Sequence, residues 1–148
     1  MKTIHQLFDE YAESHQNPVN KAIHWICVPA IFFSIVLLLL EVRLFEMVSL
    51  ASIVIVAVVL YFLFTSPPFA AGMVFIYILC MVGAKILAMQ GVVLWHAGLY
   101  IFIIAWIGQF IGHKIEGKKP SFLNDIKFLL IGPAWLMSFI FKRIGIKY

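Results

Sequence analysis

Residues 105–120, AWIGQFIGHKIEGKKP, decide the fold, because a long apolar segment ends there in a cluster of polar groups. If this segment is helical as far as Glu116, then Gln109, His113 and Glu116 project from one face, since residues three and four apart on a helix are neighbours. A polar face at the end of an apolar helix requires partners from another segment. The stretch therefore predicts a site built between helices.

A pair of glycines lies beside this polar face. Gly108 and Gly112 have the small-xxx-small spacing that lets a neighbouring helix approach closely. Gly117 is expected to end the helix, and Lys118 follows it as part of a cationic edge of the kind found at membrane surfaces. We therefore expect the polar site to lie where a second helix packs tightly against this one, close to the lipid headgroups.

The composition excludes an ordinary soluble domain. Of 148 residues, 64% are hydrophobic and only 12% are charged, which is typical of a polytopic membrane protein. The 11 Lys and Arg residues outnumber the 7 Asp and Glu residues, but the cations lie at the ends of apolar segments and form no patch interleaved with aromatics. Lipid headgroups are therefore the expected partner of the cations, and no nucleic acid is expected.

The apolar runs predict an all-α membrane protein with four transmembrane helices, forming a single domain over residues 1–148. An N-terminal amphipathic helix over residues 3–14 is expected on the bilayer surface. The four spans are predicted at about residues 22–40, 47–64, 69–84 and 92–112, close to the roughly 20 residues needed to cross a bilayer. The last segment, residues 121–141, is expected to form a broken helical hairpin, re-entrant or interfacial, bent near Pro133.

The distribution of cations predicts the orientation. Most lie at the side of the membrane where the first span starts and the fourth span ends, so the positive-inside rule places both termini in the cytoplasm. The start of the first span is predicted at Asn17, as the N-cap, and Pro18, as the first helical residue. It follows that the start of the first span and the end of the fourth meet at one membrane face.

Three histidines are expected to meet at that face: His15, His24 and His113. Imidazole suits iron, zinc, copper and nickel, and Glu116 could add a carboxylate. Histidines near membrane helix ends also serve as hydrogen-bonded structural residues, so the residues alone leave two interpretations open, a metal site and a structural cluster.

Other ring side chains receive different interpretations. His96 lies 17 residues before His113, about 25 Å away on a straight helix, so it is expected at the opposite membrane face. Tyr11, Trp25 and Trp106 are interpreted as interfacial anchors.

Two blocks of sequence resemble a known family. The run YAESHQNPVNKAIHWICVP (residues 11–29) and the run WIGQFIGHKIEGKKPSFLNDIKFLLIGP (residues 106–133) resemble the Mpo1-like family. The family pattern has Y, H, NP, N, H and P near the first span, followed by W, QFIGH, E and P after the fourth. The order and separation of the two blocks also match this pattern.

The resemblance implies an activity and a set of site residues. The expected activity is that of an Fe(II)-dependent dioxygenase, which uses O2 to remove one carbon from long-chain 2-hydroxy fatty acids in fatty acid α-oxidation. The resemblance makes three histidines the metal-associated residues, with a carboxylate as a further catalytic residue: His15, His24, His113 and Glu116. Candidate substrate contacts are two asparagines, a glutamine and two lysines: Asn17, Asn20, Gln109, Lys114 and Lys118.

The expected location is a bacterial inner membrane, or the endoplasmic reticulum if the chain is eukaryotic. The alternative function is a non-enzymatic membrane carrier or assembly protein with structural histidines. Geometry separates the two interpretations, since a shared metal requires the ring nitrogens of all three histidines to lie within about 4–5 Å of one another.

Overall fold

The computed structural model describes residues 3–117 and 128–148. Within these ranges the chain forms six helices and a two-stranded hairpin, so the prediction of a mostly helical protein is confirmed. In chain order the elements are α1 (Ile4–Ala12), α2 (Pro18–Leu40), β1 (Arg43–Phe45), β2 (Val48–Ser49), α3 (Leu50–Thr65), α4 (Pro67–Met89), α5 (Leu94–Glu116) and α6 (Ile131–Ile144).

Three helices are long and apolar enough to cross a membrane. They are α2, α4 and α5, each 23 residues long, and their outer faces expose large apolar side chains such as Ile26 in α2 and Met89 in α4. Such exposed apolar surface is costly in water and favourable in lipid. The chain is therefore a membrane protein. Helix α3 is apolar but has only 16 residues, so the fourth span stays a prediction.

The hairpin explains why α3 is short. Arg43 pairs with Ser49 in an antiparallel ladder, and the backbone N–H of Leu50 donates to the carbonyl of Val42 at 2.8 Å. Ser49 then caps α3 by accepting the N–H of Ser52. Residues 47–49, which were predicted to begin the second span, are thus used by the hairpin. The all-α prediction missed these two strands.

Helix α2 begins where the sequence indicates. The side chain of Asn17 accepts the N–H of Val19 at 2.9 Å, and Pro18 occupies the first helical position. Proline costs nothing there because the first N–H groups of a helix have no partner within it. The predicted helix start is confirmed, and the helix is four residues longer at this end than the apolar run from residue 22 suggested.

The predicted amphipathic helix is present as α1, but its apolar face is covered by protein. Thr3 and Gln6 form a capping box at its start. Phe8 packs edge-on against Phe69 of α4, and Tyr11 packs against Trp135 of α6, with ring centroids 5.3 and 5.1 Å apart. The apolar face of α1, which was expected to insert into the bilayer surface, is therefore part of the protein core. This contact holds α1 against the bundle.

The interpretation of two aromatic residues as interfacial anchors was wrong. Tyr11 and Trp106 are buried, whereas Trp25 is exposed. Tyr11 is buried because α1 packs against α6, whereas Trp106 is buried in a cluster with Cys27 and Ile31 of α2.

Helix α6 is mostly interior, with residues 131–138 all buried. It starts at Ile131, so Pro133 lies in its first turn and interrupts no helical hydrogen bond. Residues 121–127 of the predicted broken hairpin lie outside the described residues, and the hairpin stays a prediction.

Helices α2 and α5 run antiparallel in the closest helix pair of the bundle. A Cβ atom at Gly108 would overlap Cys27 Sγ, and one at Gly112 would overlap Asn20 Oδ1. The predicted role of these glycines in close helix packing is confirmed. At the other end of the pair, a Cβ at Gly98 would lie 3.0 Å from the Ser34 carbonyl oxygen. Because these three glycines of α5 have no side chain, α2 can approach closely.

Replacing Gly112 by alanine is expected to destabilise the protein. The added methyl group meets the Asn20 side chain, which is fully buried and held by two hydrogen bonds, so overpacking should cost about 1–3 kcal/mol. We expect Gly112→Ala to lower the thermal unfolding midpoint in detergent by about 5 °C. The control is Gly83→Ala, whose methyl group meets only the ring edge of Phe33. An equal loss in both variants would contradict this account.

Candidate metal centre

The structure brings the three predicted histidines together. His15 lies in the connection between α1 and α2, His24 lies in α2, and His113 lies in the last turn of α5. Each offers one ring nitrogen, and these atoms all lie within 4.8 Å of one another. The side chains are 2%, 1% and 5% exposed, respectively. The predicted convergence, and the distance it required, are therefore observed.

The spacing of the rings fits one small ion. Ring centroids are 4.1 Å apart for His15 and His24, 5.4 Å for His15 and His113, and 5.1 Å for His24 and His113. Two nitrogens that bind one ion at 2.0–2.1 Å lie at most about 4.2 Å apart. Small side-chain rotations are therefore enough for all three to bind the same ion.

Hydrogen bonds fix the orientation of two of these rings. Nδ1–H of His15 donates to the carbonyl oxygen of Tyr11 at 2.6 Å, and Nδ1–H of His24 donates to the carbonyl oxygen of Asn20 at 2.9 Å. Each acceptor lies four residues earlier in the chain. A proton on Nδ1 leaves the lone pair on Nε2, and this is the usual arrangement of a metal-binding histidine.

Among the residues that the structure describes, the remaining nitrogen of each of these two rings has no hydrogen-bond partner. Nε2 of His15 and Nε2 of His24 are both buried and unpaired. A buried polar atom without a partner costs about 1–3 kcal/mol, so two of them on neighbouring rings of one cluster require an explanation. A metal ion bound to both atoms satisfies them, and the three residues therefore fit a metal.

Burial keeps His15 neutral. Desolvation lowers the pKa of His15 from its usual 6.5 to about 4, and the hydrogen bond to Tyr11 offsets only part of this effect. At pH 7 the ring is therefore unprotonated and its Nε2 lone pair is available. Metal binding requires that state of the ligand.

Glu116 has a different geometry from the histidines. Its Oε1 accepts the backbone N–H of Gln16 at 2.8 Å, and its Oε2 accepts the backbone N–H of Asn17 at 2.9 Å and an N–H of the Asn20 amide at 3.0 Å. Glu116 is also outside the three-histidine group. The carboxylate thus joins the end of α5 to the start of α2, where the helix dipole favours negative charge.

The two asparagines support this connection. Asn17 caps α2, and the fully buried Asn20 donates from Nδ2 both to Glu116 and to the carbonyl oxygen of Ser14 at 3.1 Å. Asn20 therefore ties the His15 segment to both helices. These contacts position the histidines, and a role of Asn17 or Asn20 in substrate binding stays a prediction.

A cavity of about 30 Å³ adjoins the histidines. Its polar lining comes from Tyr11, His24, Gln109 and His113, so Gln109 lies where the sequence placed it. Tyr11 also stacks on His15, with ring centroids 4.1 Å apart. The sequence analysis missed Tyr11 as a site residue. Its position four residues before His15, on the apolar face of α1, was the signal that could have identified it.

Two other residues singled out in the sequence, His96 and Lys114, lie away from the cavity lining. His96 is exposed beside Trp95 at the start of α5, and it is absent from the histidine group, as the sequence analysis expected. Lys114 is exposed next to His113, and Lys118 lies outside the described residues. Substrate contacts by these two lysines stay predictions.

Fold and site together define a helical membrane protein with a buried cluster of three histidines near one end of the bundle. A family model described as 2-hydroxy-palmitic acid dioxygenase Mpo1-like matches residues 1–144, so the chain belongs to the Mpo1-like family. The chain is also 28% identical over 135 residues to the 2-hydroxy-palmitic acid dioxygenase MPO1 of Saccharomyces cerevisiae. That alignment covers 89% of this chain and 76% of the yeast protein. No solved structure matches the chain significantly.

A substitution at Glu116 distinguishes a hydrogen-bonding role of its carboxylate from a role as metal ligand. Glu116→Gln removes the charge but keeps the shape, and we expect a stability loss of about 1–2 kcal/mol with the metal content unchanged. The measurements are the thermal unfolding midpoint in detergent and metal analysis by mass spectrometry. The control is Glu46→Gln, at an exposed position in the hairpin. Loss of metal from Glu116→Gln at unchanged stability would instead identify Glu116 as a ligand.

Proposed function

We propose that this protein is an iron-dependent dioxygenase that removes one carbon from long-chain 2-hydroxy fatty acids. One observation carries the proposal: three buried imidazoles each offer a ring nitrogen within 4.8 Å of the others, and two of these rings have a buried, unpaired Nε2. Family membership and the name of the yeast relative support a dioxygenase that acts on a 2-hydroxy fatty acid, and the loss of one carbon is what the resemblance to the Mpo1-like family implies. Imidazole ligands alone also suit zinc, copper and nickel, so the metal is part of the proposal.

A purely structural cluster explains the geometry less well. A histidine that serves only to join helices satisfies both ring nitrogens with hydrogen bonds, because an unpaired buried nitrogen lowers stability. His15 and His24 each satisfy Nδ1 and leave a buried Nε2 without a partner among the described residues. A carrier or assembly protein would have no need for this arrangement.

The residues of the chain account for binding and orientation. His15, His24 and His113 would hold the ion, and the backbone carbonyls of Tyr11 and Asn20 keep two of the rings in the binding tautomer. Gln109 lines the cavity beside His113 and can hydrogen-bond the carboxylate or the 2-hydroxyl of a substrate. Bound iron supplies one-electron chemistry toward O2 and a Lewis acid for the 2-hydroxy carboxylate.

The overall reaction balances without another reductant. A 2-hydroxy acid and one O2 give a carboxylic acid shorter by one carbon, carbon dioxide and water. The bond between the carboxyl carbon and the hydroxyl-bearing carbon breaks, the hydroxyl-bearing carbon is oxidised to the new carboxyl carbon, and O2 takes up the four electrons. The buried cluster limits the access of water to this chemistry.

The histidine end of the bundle is proposed to face the cytoplasm. Lys21 and Lys114 flank that end, whereas Arg43 and Lys85 lie toward the other end, and the positive-inside rule favours the more cationic end inside. A bacterial inner membrane, or the endoplasmic reticulum in a eukaryote, fits this orientation.

Removing one histidine tests the metal site. We expect His113→Ala, purified without oxygen and loaded with iron, to lose at least about tenfold in iron affinity and to stop shortening 2-hydroxypalmitate. The matched control is His96→Ala on the same helix, which should keep both properties because His96 is exposed and distant from the cluster. Metal analysis and mass spectrometry of the acid products are the measurements.

Three results would contradict the proposal. The first is that the wild-type protein binds no metal, and the second is that it binds only zinc under iron-replete conditions. The third is that it leaves 2-hydroxypalmitate intact when iron and O2 are present. A loss of stability in His113→Ala without any change in metal content would favour the structural interpretation of the histidines.

A further inference from the structure

A second cavity begins next to the one at the histidines. It has a volume of about 90 Å³ and lies between α2 and α3. Its lining is apolar except for Tyr77, and includes Phe32, Ile35, Val36, Leu39, Val54 and Val58. Leu129 contributes to the walls of both this cavity and the cavity at the histidines. The two spaces are therefore neighbours that share a wall.

One face of α2 leads from the histidines into this second cavity. His24, Val28 and Ile31 line the first cavity, and Ile35 and Leu39 line the second. Their spacing of three and four residues keeps them on one side of the helix. From His24 to Leu39 this face extends about 22 Å along the helix axis, at 1.5 Å per residue. It is polar at one end and apolar along the rest.

We propose that this path, which we call the α2–α3 channel and define by Ile31, Ile35, Leu39, Ala51 and Val58, binds the acyl chain of the substrate. The proposal rests on the proposed function and adds where the chain lies. A fatty acid has the same polarity as the path, with a polar head for the imidazoles and Gln109 and a long apolar tail for the rest. The far end of the channel, at Leu39 and Ala51, then sets the longest chain accepted.

The volumes fit a single narrow ligand. A cavity holds about one water-sized group for each 10–15 Å³ measured in this way. The channel and the histidine cavity together therefore hold roughly ten such groups in single file, which suits a run of methylenes and excludes a branched or fused-ring lipid, and the walls must open further to hold a C16 acid. The side chain of Leu129, at the shared wall, must rotate to let a chain pass.

A larger apolar groove competes as the acyl site. It has a volume of about 430 Å³, lies between α2, α4 and α6, and is lined by residues such as Pro29, Leu79 and Pro133. None of the three histidines lines it. The groove and the histidine cavity contact different faces of α2, as the neighbours Val28 and Pro29 show. A tail in this groove would leave the carboxylate away from the histidines.

Substitutions at the end of the channel should change chain-length preference in opposite directions. Ala51→Phe fills the far end, and we expect the ratio of kcat/KM for C16 over C12 2-hydroxy acids to fall at least about fourfold, because the ring displaces at least one methylene of the longer acid and each buried methylene changes affinity about fourfold. Leu39→Ala enlarges the same end and should raise the relative activity on longer acids. Leu79→Trp, which fills only the competing groove, should leave the ratio unchanged.

Photolabelling provides a readout that does not depend on turnover. The probe is a 2-hydroxypalmitate with a diazirine at its terminal carbon, and the labelled residues are mapped by mass spectrometry. We expect labelling near Leu39 and Ala51, with loss of this label in Ala51→Phe. Labelling near Leu79 and Pro133, or a change in chain-length preference caused by Leu79→Trp alone, would overturn the channel.

The two proposals can fail separately. Labels at Leu39 and Ala51 in a protein that converts no 2-hydroxy acid would support the channel and refute the dioxygenase. Normal conversion with unchanged preference in both Ala51→Phe and Leu39→Ala would support the dioxygenase and refute the channel. If Ala51→Phe fails to fold, Leu39→Ala and the labelling of the wild-type protein still test the channel.

Discussion

The close approach of α2 and α5 is the constraint on which the rest of the structure depends. Two glycines one turn apart, Gly108 and Gly112, leave no side chain where Cys27 and Asn20 lie. Without that approach His24 and His113, on different helices, could not share a site. In a bilayer, helices gain little from the hydrophobic effect by associating, so close packing over small residues is an important source of attraction. The polar contacts of Glu116 and Asn20 then fix the register.

The site illustrates how buried histidines are made ready for a ligand. Burial favours the neutral ring, as the pKa of His15 shows. A backbone carbonyl four residues earlier fixes the proton on Nδ1 in both His15 and His24, so Nε2 is left for an ion. The unpaired nitrogens lower stability in the absence of an ion. Binding an ion removes that cost, so the same nitrogen atoms that lower the stability of the metal-free protein favour metal binding.

Two elements that looked peripheral in the sequence cover the site. Helix α1 supplies Tyr11, which stacks on His15, and α6 supplies Trp135, which packs on Tyr11. Amphipathicity predicted that α1 would bury one face, but it could not say whether lipid or protein would cover that face. In the structure, protein covers this face of α1, because aromatic side chains of α4 and α6 pack against it, such as Phe69 against Phe8.

The sequence by itself determined the helical class, the start of α2 at Asn17 and Pro18, the role of the glycine pair and the three histidines that meet. The first three follow from local chemistry, namely apolar run length, capping groups and helical spacing, whereas the meeting of the histidines follows from the predicted order of the spans. Only the tertiary structure decided the hydrogen bonds that join distant segments. Glu116, which spacing alone made a possible ligand, bonds instead to backbone N–H groups some 100 residues earlier, and periodicity on one helix carries no information about a partner that far along the chain.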